Sequence, residues 1–255
     1  MSAPGLETDR FVRASFAVER RQAGFTIVET PQRRDYWFGN CLILDRSPEP
    51  AQYDPWLARH AAAFAGTGAG KRVVKWETSG ERNDPERPAR GEVEFDISTV
   101  LLSDATPAPP ARRDVAVRAV AGDGDWAEIE RLERAEAADA PPNFADFYAW
   151  RTRMVRADVA RGVAQVYGAF GERTLLAFAG CYARAEWIRL TTPVTANEYR
   201  RRGLFSTLFA LAVGAARERF PAARVVVVAE TDSAPERLYR SLGFAVSGYQ
   251  YALVE

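Results

Sequence analysis

The sequence predicts an α+β protein: a mixed, mostly antiparallel sheet flanked by helices, preceded by a smaller α+β module. Three observations carry that expectation. A strand-like segment, Trp187 to Val194, leads through an Arg/Gly turn at Thr195 to Ser206 into an apolar run ending near Phe220. Ala164 to Phe170 and Leu175 to Ala183 flank the turn Gly171-Glu172-Arg173 and read as a hairpin, with Trp187 to Val194 completing the antiparallel set. Val225-Val226-Val227-Val228-Ala229 is a continuous apolar run, the pattern of a strand covered on both faces.

The remaining elements follow in order. Met1 to about Arg10 shows no periodicity and is expected to fray. Phe25 to Thr30 alternates as a strand does, Pro31 to Asp35 makes a polar turn, and Tyr36 to Asp45 reads as an aromatic turn entering a buried strand. A helix is expected around Asp54 to Phe64, then strands at Val73 to Trp76 and Glu94 to Leu102. Asp104 to Arg113 is rich in proline and polar residues, which suits a semi-rigid linker, so the module boundary is placed between residues 108 and 109. Val115 to Val120 reads as the first strand of the second module. Asp125 is set to cap a helix carrying Trp126, Ile129 and Leu132, and Asn143 a second helix through Phe144 to Met154. Ser233-Ala234-Pro235-Glu236 is a capping-box pattern with proline in the first turn; it opens a short helix that Gly243 stops. Phe244 to Leu253 closes the chain with strand-like segments.

Composition narrows the chemistry. The 255 residues are 47% hydrophobic, enough for a packed core. Formal charge is zero and pI about 6.7, without the basic footprint of a nucleic-acid binder. The only cysteines, Cys41 and Cys181, suit a reducing cytosol, and no secretory or membrane-spanning run is present, so a cytoplasmic protein is expected. His60 is the only histidine, which excludes a zinc site built on several histidines; its helical setting makes it an ordinary helix residue. Ala65 to Arg72 nearly spells a phosphate-binding Gly-x-x-x-x-Gly-Lys-Ser/Thr loop. It lacks the first glycine and the magnesium-binding hydroxyl, and a helix precedes it where a strand belongs, so it reads as a helix-to-strand turn.

The Arg/Gly turn has the makings of an anion site. The first N–H groups of a helix lack partners inside it and sit at the positive end of its dipole. Gly203 permits close backbone approach, and Arg200, Arg201 and Arg202 add charge. Arg200-Arg201-Arg202-Gly203-Leu204-Phe205 resembles the Gln/Arg-x-x-Gly-x-Gly/Ala signature with which the GNAT acyltransferases hold the diphosphate of acetyl-CoA. Phe205 departs from the signature's final small residue, and Thr195 to Gly203 follows the wider pattern in register, with Thr195, Asn197 and Arg201 departing from that. Ser233 to Phe244 is similar to the second signature, Asn-x-x-Ala-x-x-Leu-Tyr-x-x-x-Gly-Phe: Leu238, Tyr239, Gly243 and Phe244 match, while Asp232 and Pro235 replace asparagine and alanine. The resemblance covers about Asp114 to Glu255. Tyr36 to Asn40 lies in a first half that looks like the degenerate module of tandem GNAT proteins.

That resemblance implies the GNAT fold with a central, splayed parallel strand pair, Trp187 to Val194 beside Val225 to Ala229. It implies acetyl-CoA as acyl donor, held by Val194, Thr195 and Arg200 to Ser206 (Arg200, Arg201, Arg202, Gly203, Leu204, Phe205, Ser206), and Tyr239 as the catalytic acid near the thioester sulfur. The expected reaction is direct acetyl transfer to a primary amine, the acceptor being a small molecule, with neither metal nor covalent enzyme intermediate. The strand position that holds a glutamate base in some relatives is Arg189, which could instead recognise an anionic group on the acceptor. Glu186, Glu198 and Glu230 read as solvated. A catalytically idle acyl-CoA sensor or scaffold is the alternative function, and monomer and homodimer stay equally open.

Overall fold

A computed structural model gives the structure of the chain and describes residues 3–86, 93–105, 115–137, 143–172 and 174–255. The chain forms two compact units, one of Met1–Leu102 with Val227–Glu255 and one of Ser103–Val226.

In the first unit, α1 (Pro4–Arg13) precedes β1 (Val18–Gln22), β2 (Phe25–Glu29), β3 (Cys41–Leu44), α2 (Tyr53–Ala63), β4 (Val73–Ser79) and β5 (Glu94–Ser103). The helix α1 replaces the frayed terminus expected from sequence. Its cause is distant in the chain: Glu77, on β4, accepts hydrogen bonds from the Gly5 and Leu6 amides at 3.2 and 2.7 Å. A carboxylate thus satisfies N–H groups that the helix cannot satisfy itself, at the end where negative charge is favoured. Burial pushes the Glu77 carboxyl up, against the pull of those amides and of Gln250.

The second unit holds β6 (Ala116–Ala119), α3 (Gly122–Glu136), α4 (Asn143–Ala160), β7 (Ala164–Gly171), β8 (Thr174–Arg184), β9 (Trp187–Thr195), α5 (Leu204–Arg219) and the start of β10 (Arg224–Glu230). Strands β6 to β9 pair antiparallel in sequence order, and β10 joins β9 in parallel from Arg224↔Trp187 to Val226↔Arg189. One face of α3 supplies Trp126, Ile129 and Leu132, which pack on Val166, Phe170 and Phe178. Leu204 and Leu208 of α5 pack against Ala169, Ala177 and Ala179, where small side chains let the helix approach the strands closely.

Asp125 does not cap α3 in the way its position suggested. The helix starts three residues earlier, at Gly122, and Asp125 reaches back to accept from the Ala121 amide at 2.8 Å while pairing with Arg118. The Arg118 hydrogen bond, helped by that amide, holds the Asp125 carboxyl below its ordinary value. A depressed carboxylate stabilises the fold above its unfolded pKa, and the contribution is lost as pH falls through the folded value. Asp125→Asn is therefore expected to lower Tm at pH 6, with the gap to the unsubstituted protein closing below about pH 4; a gap constant across that range in thermal scans contradicts the assignment.

Beyond β10 come α6 (Ala234–Ser241) and β11 (Ala245–Val254), both in the first unit. The sequence expectation for α6 holds: the Ser233 hydroxyl accepts from the Glu236 amide at 3.2 Å, and Gly243 at φ +87° ends the helix. β11 lies antiparallel between β4 and β5, with Tyr251 opposite Trp76 on one side and Ile97 on the other. The Trp76 and Tyr251 rings stack at 5.5 Å in the core of this unit. The linker and the 108/109 boundary expected from sequence fall largely on residues 106–114, outside the described residues. Residues 227–255 pack with the amino-terminal unit because the last strand is hydrogen-bonded into it.

Candidate functional site

Strand β9 delivers the chain to the turn. It carries an irregularity where pairing with β8 steps from Gly180↔Thr191 to Phe178↔Val194. Pro193 explains it locally, since proline has no N–H for the ladder and is accommodated at bulges. The recorded parallel pairing with β10 stops at Arg189, while β9 continues to Thr195.

After Thr195 the Ala196 amide donates to the Leu176 carbonyl at 2.9 Å, and a short 3-10 turn spans Asn197–Tyr199. Arg201 sits at φ +59° and Gly203 at φ +76°, both left-handed. Gly203 is the residue that turns the chain into α5, and glycine adopts that conformation without the steric cost an L side chain meets. Gly203, at the N-cap of α5, makes no side-chain cap. The helix's opening amides, with the helix dipole behind them, form an anion-ready end.

The other expected ligand residues distribute as follows. Val194 and Thr195 are half-buried at the end of β9, and Ser206 is half-buried in the first turn of α5. Arg201 and Arg202 are exposed, the latter with its guanidinium 5.1 Å from the Tyr199 ring centroid. Leu204 is buried in the core. Phe205, the bulky departure from the resemblance, stacks on the buried Phe209 at 5.9 Å, so its ring joins the helix packing. Arg200 turns inward along the chain: its Nε donates to the Thr195 carbonyl at 3.2 Å and its terminal nitrogen pairs with Glu136. Tyr239 lies on α6 in the other unit, only 6% exposed, edge-on to Phe244 at 5.6 Å.

Of the acidic residues near the turn in sequence, Glu186, Glu198 and Glu230 are exposed, as solvated side chains are. Arg189 is half-buried on β9. Cys181 is buried, its Sγ 3.6 Å from the Ala212 carbonyl oxygen, and burial pushes its thiol up to about 12, which removes it as a nucleophile. His60 is buried on α2 with Nε2 3.0 Å from the Asn40 carbonyl oxygen; burial pushes its pKa down, so the neutral ring donates there. Ala65 to Arg72 is a turn region with left-handed glycines at 66 and 68.

Two acidic residues escaped the sequence reading. Glu133, buried on α3, accepts from Thr152 Oγ1 at 2.7 Å and pairs with Arg151, joining α3 to α4. A cavity of about 20 Å³ beside it, lined also by Trp126, Val166, Gly180 and Thr191, suits a single water. Glu136, one turn further along α3, holds the Asn197 amide at 3.0 Å and Arg200. Periodicity marks positions 129, 132 and 133 as one helix face, but a lone glutamate in it carries no mark of its partner.

Among the described residues no group of three or more His, Cys, Asp or Glu side chains is placed to hold a metal ion, and no helix is long and apolar enough to cross a membrane.

Residues 125–244 match the model of the Acetyltransferase (GNAT) family. A GCN5-related N-acetyltransferase from Kribbella flavida superposes with a TM-score of 0.66 at 16% identity, over 99% of this chain and 95% of that one. A tandem GNAT protein from the clavulanic acid biosynthesis pathway superposes at 0.61 with 15% identity, over 100% and 89%. A conserved protein of unknown function from Staphylococcus epidermidis gives 0.74 at 12% identity, over 94% of each chain. No curated protein matches by sequence. The fold is that of the GNAT acetyltransferases, with the two-module architecture of their tandem members, and residues 125–244 of this chain match the GNAT-family acetyltransferase domain.

Proposed function

We propose that this chain transfers an acetyl group from acetyl-CoA to the primary amine of a small molecule, directly, within a ternary complex. The observation that supports it best is the amino end of α5 behind left-handed Gly203, inside the segment that matches the family. In this reading the amides of Gly203 to Ser206 and the side chains of Arg201 and Arg202 meet the diphosphate, and the end of β9 at Val194 and Thr195 lies along the pantetheine arm, whose amide groups need backbone partners.

The neutral amine nitrogen attacks the thioester carbonyl carbon. The tetrahedral adduct collapses with cleavage of the carbon–sulfur bond, the amine loses a proton, and the departing thiolate gains one. Tyr239 is assigned to the sulfur side. A phenol with an ordinary pKa of about 10, against about 8.5 for a thiol, serves chiefly by hydrogen-bonding the developing thiolate. The second module, as read from sequence, is residues 109–255.

Calorimetric titration of acetyl-CoA at physiological ionic strength, paired with a thiol-release screen over small amines, tests this. Binding with thiol release is expected, and saturation to a hundredfold above Kd should stabilise the fold by about 2.7 kcal/mol. Stabilisation without thiol release from any amine identifies the idle sensor or scaffold instead, which Arg201, at φ +59° where the resemblance has glycine, gives reason to consider. No heat of binding removes the reading altogether.

A further inference from the structure

The side chain of Arg200 is already engaged. Its Nε donates to the Thr195 carbonyl and its terminal nitrogen pairs with Glu136, whose other oxygen accepts from the Asn197 amide at 3.0 Å. Glu136 is the last residue of α3, where the negative end of the helix dipole disfavours a carboxylate. Two donors that come from the turn, the Asn197 amide and Arg200, offset the conflict. Its side chain is 19% exposed against 55% for Arg200, so the carboxylate is the more enclosed member of the pair.

Resting on the acetyl-CoA reading, we propose that Arg200 is a positioning residue and not a phosphate ligand. It neutralises Glu136 beside the anion site, and together they fix the backbone from Thr195 to Arg200 that leads into Gly203. Arg201 and Arg202, both exposed, are the arginines assigned to the diphosphate. Glu136 locks the turn through the Asn197 amide, and Arg200 keeps that carboxylate from repelling the ligand.

The two roles for Arg200 give opposite signs in a double-substitution cycle read by CoA affinity. If Arg200 neutralises Glu136, Arg200→Ala exposes an uncompensated carboxylate and weakens CoA binding about tenfold. Adding Glu136→Gln, which keeps an acceptor for the Asn197 amide and removes the charge, recovers most of that loss. If Arg200 touches phosphate, the double variant binds no better than Arg200→Ala, and the proposal fails. Thermal unfolding without ligand monitors folding of each variant. Failure of the unsubstituted protein to bind CoA defeats the acetyl-CoA reading and this inference with it, whereas binding with the wrong sign in the cycle defeats the inference alone.

Discussion

Tyr239→Phe is expected to lower kcat about 10²-fold with CoA affinity unchanged, because a group that meets charge only as the carbon–sulfur bond breaks contributes to the transition state and little to the ground state. The ring is buried edge-on to Phe244, and phenylalanine preserves that contact, so the unfolding free energy should shift by no more than about 1 kcal/mol. Steady-state kinetics over a range of amines and a urea titration measure both. The assignment predicts that the loss is largest for the donor with the poorest leaving thiolate. A kcat within threefold of the unsubstituted enzyme would leave Tyr239 as a packing residue only.

The second large effect is on stability and lies far from the turn in sequence. A Cβ added at Gly248 would stand 2.0 Å from the Thr78 carbonyl oxygen and 3.0 Å from its carbon. Gly248 sits on β11 where pairing with β5 shifts register, and it is opposite Ser79 of β4. The obstructing atoms are backbone within a paired strand, so no rotamer change relieves the overlap. Gly248→Ala should cost about 3 kcal/mol or more, with loss of soluble expression as the extreme outcome. Gly66 offers the contrast: nothing lies within 4 Å of its added Cβ, and only φ +73° opposes alanine, at about 1 kcal/mol. Urea midpoints in the same order for both variants would refute the reading of β11.

The elements that carry the proposed chemistry were legible because their causes are local. The hairpin β7 and β8, the Arg/Gly turn, α5 and the Ser233-capped α6 each follow from periodicity, a glycine or a cap within a few residues. What stayed hidden depends on partners remote in sequence. The helix α1 exists on the strength of Glu77, the Glu133 ion pair needs α4 folded against α3, and Glu136 acquires meaning only beside Asn197 and Arg200. Asp125 reads in the sequence as an N-cap but lies inside the first turn of α3, since a carboxylate reaching backward and one reaching forward look alike in sequence. The Arg/Gly segment was legible as the turn that opens α5. The ion pair between Arg200 and Glu136 was not, because three identical side chains in a row give no sign of which one reaches α3.

The position of β11 constrains how the chain can be made. During synthesis β4 and β5 emerge early, yet the ribbon that belongs between them is among the last to leave the ribosome. Until residues 245–254 arrive, both neighbours display open edges, the kind of surface on which nascent chains stick to one another. The amino-terminal unit is therefore expected to mature only after translation has passed through residues 103–226, so a stop codon placed before Ala245 should harm the unit that was begun first.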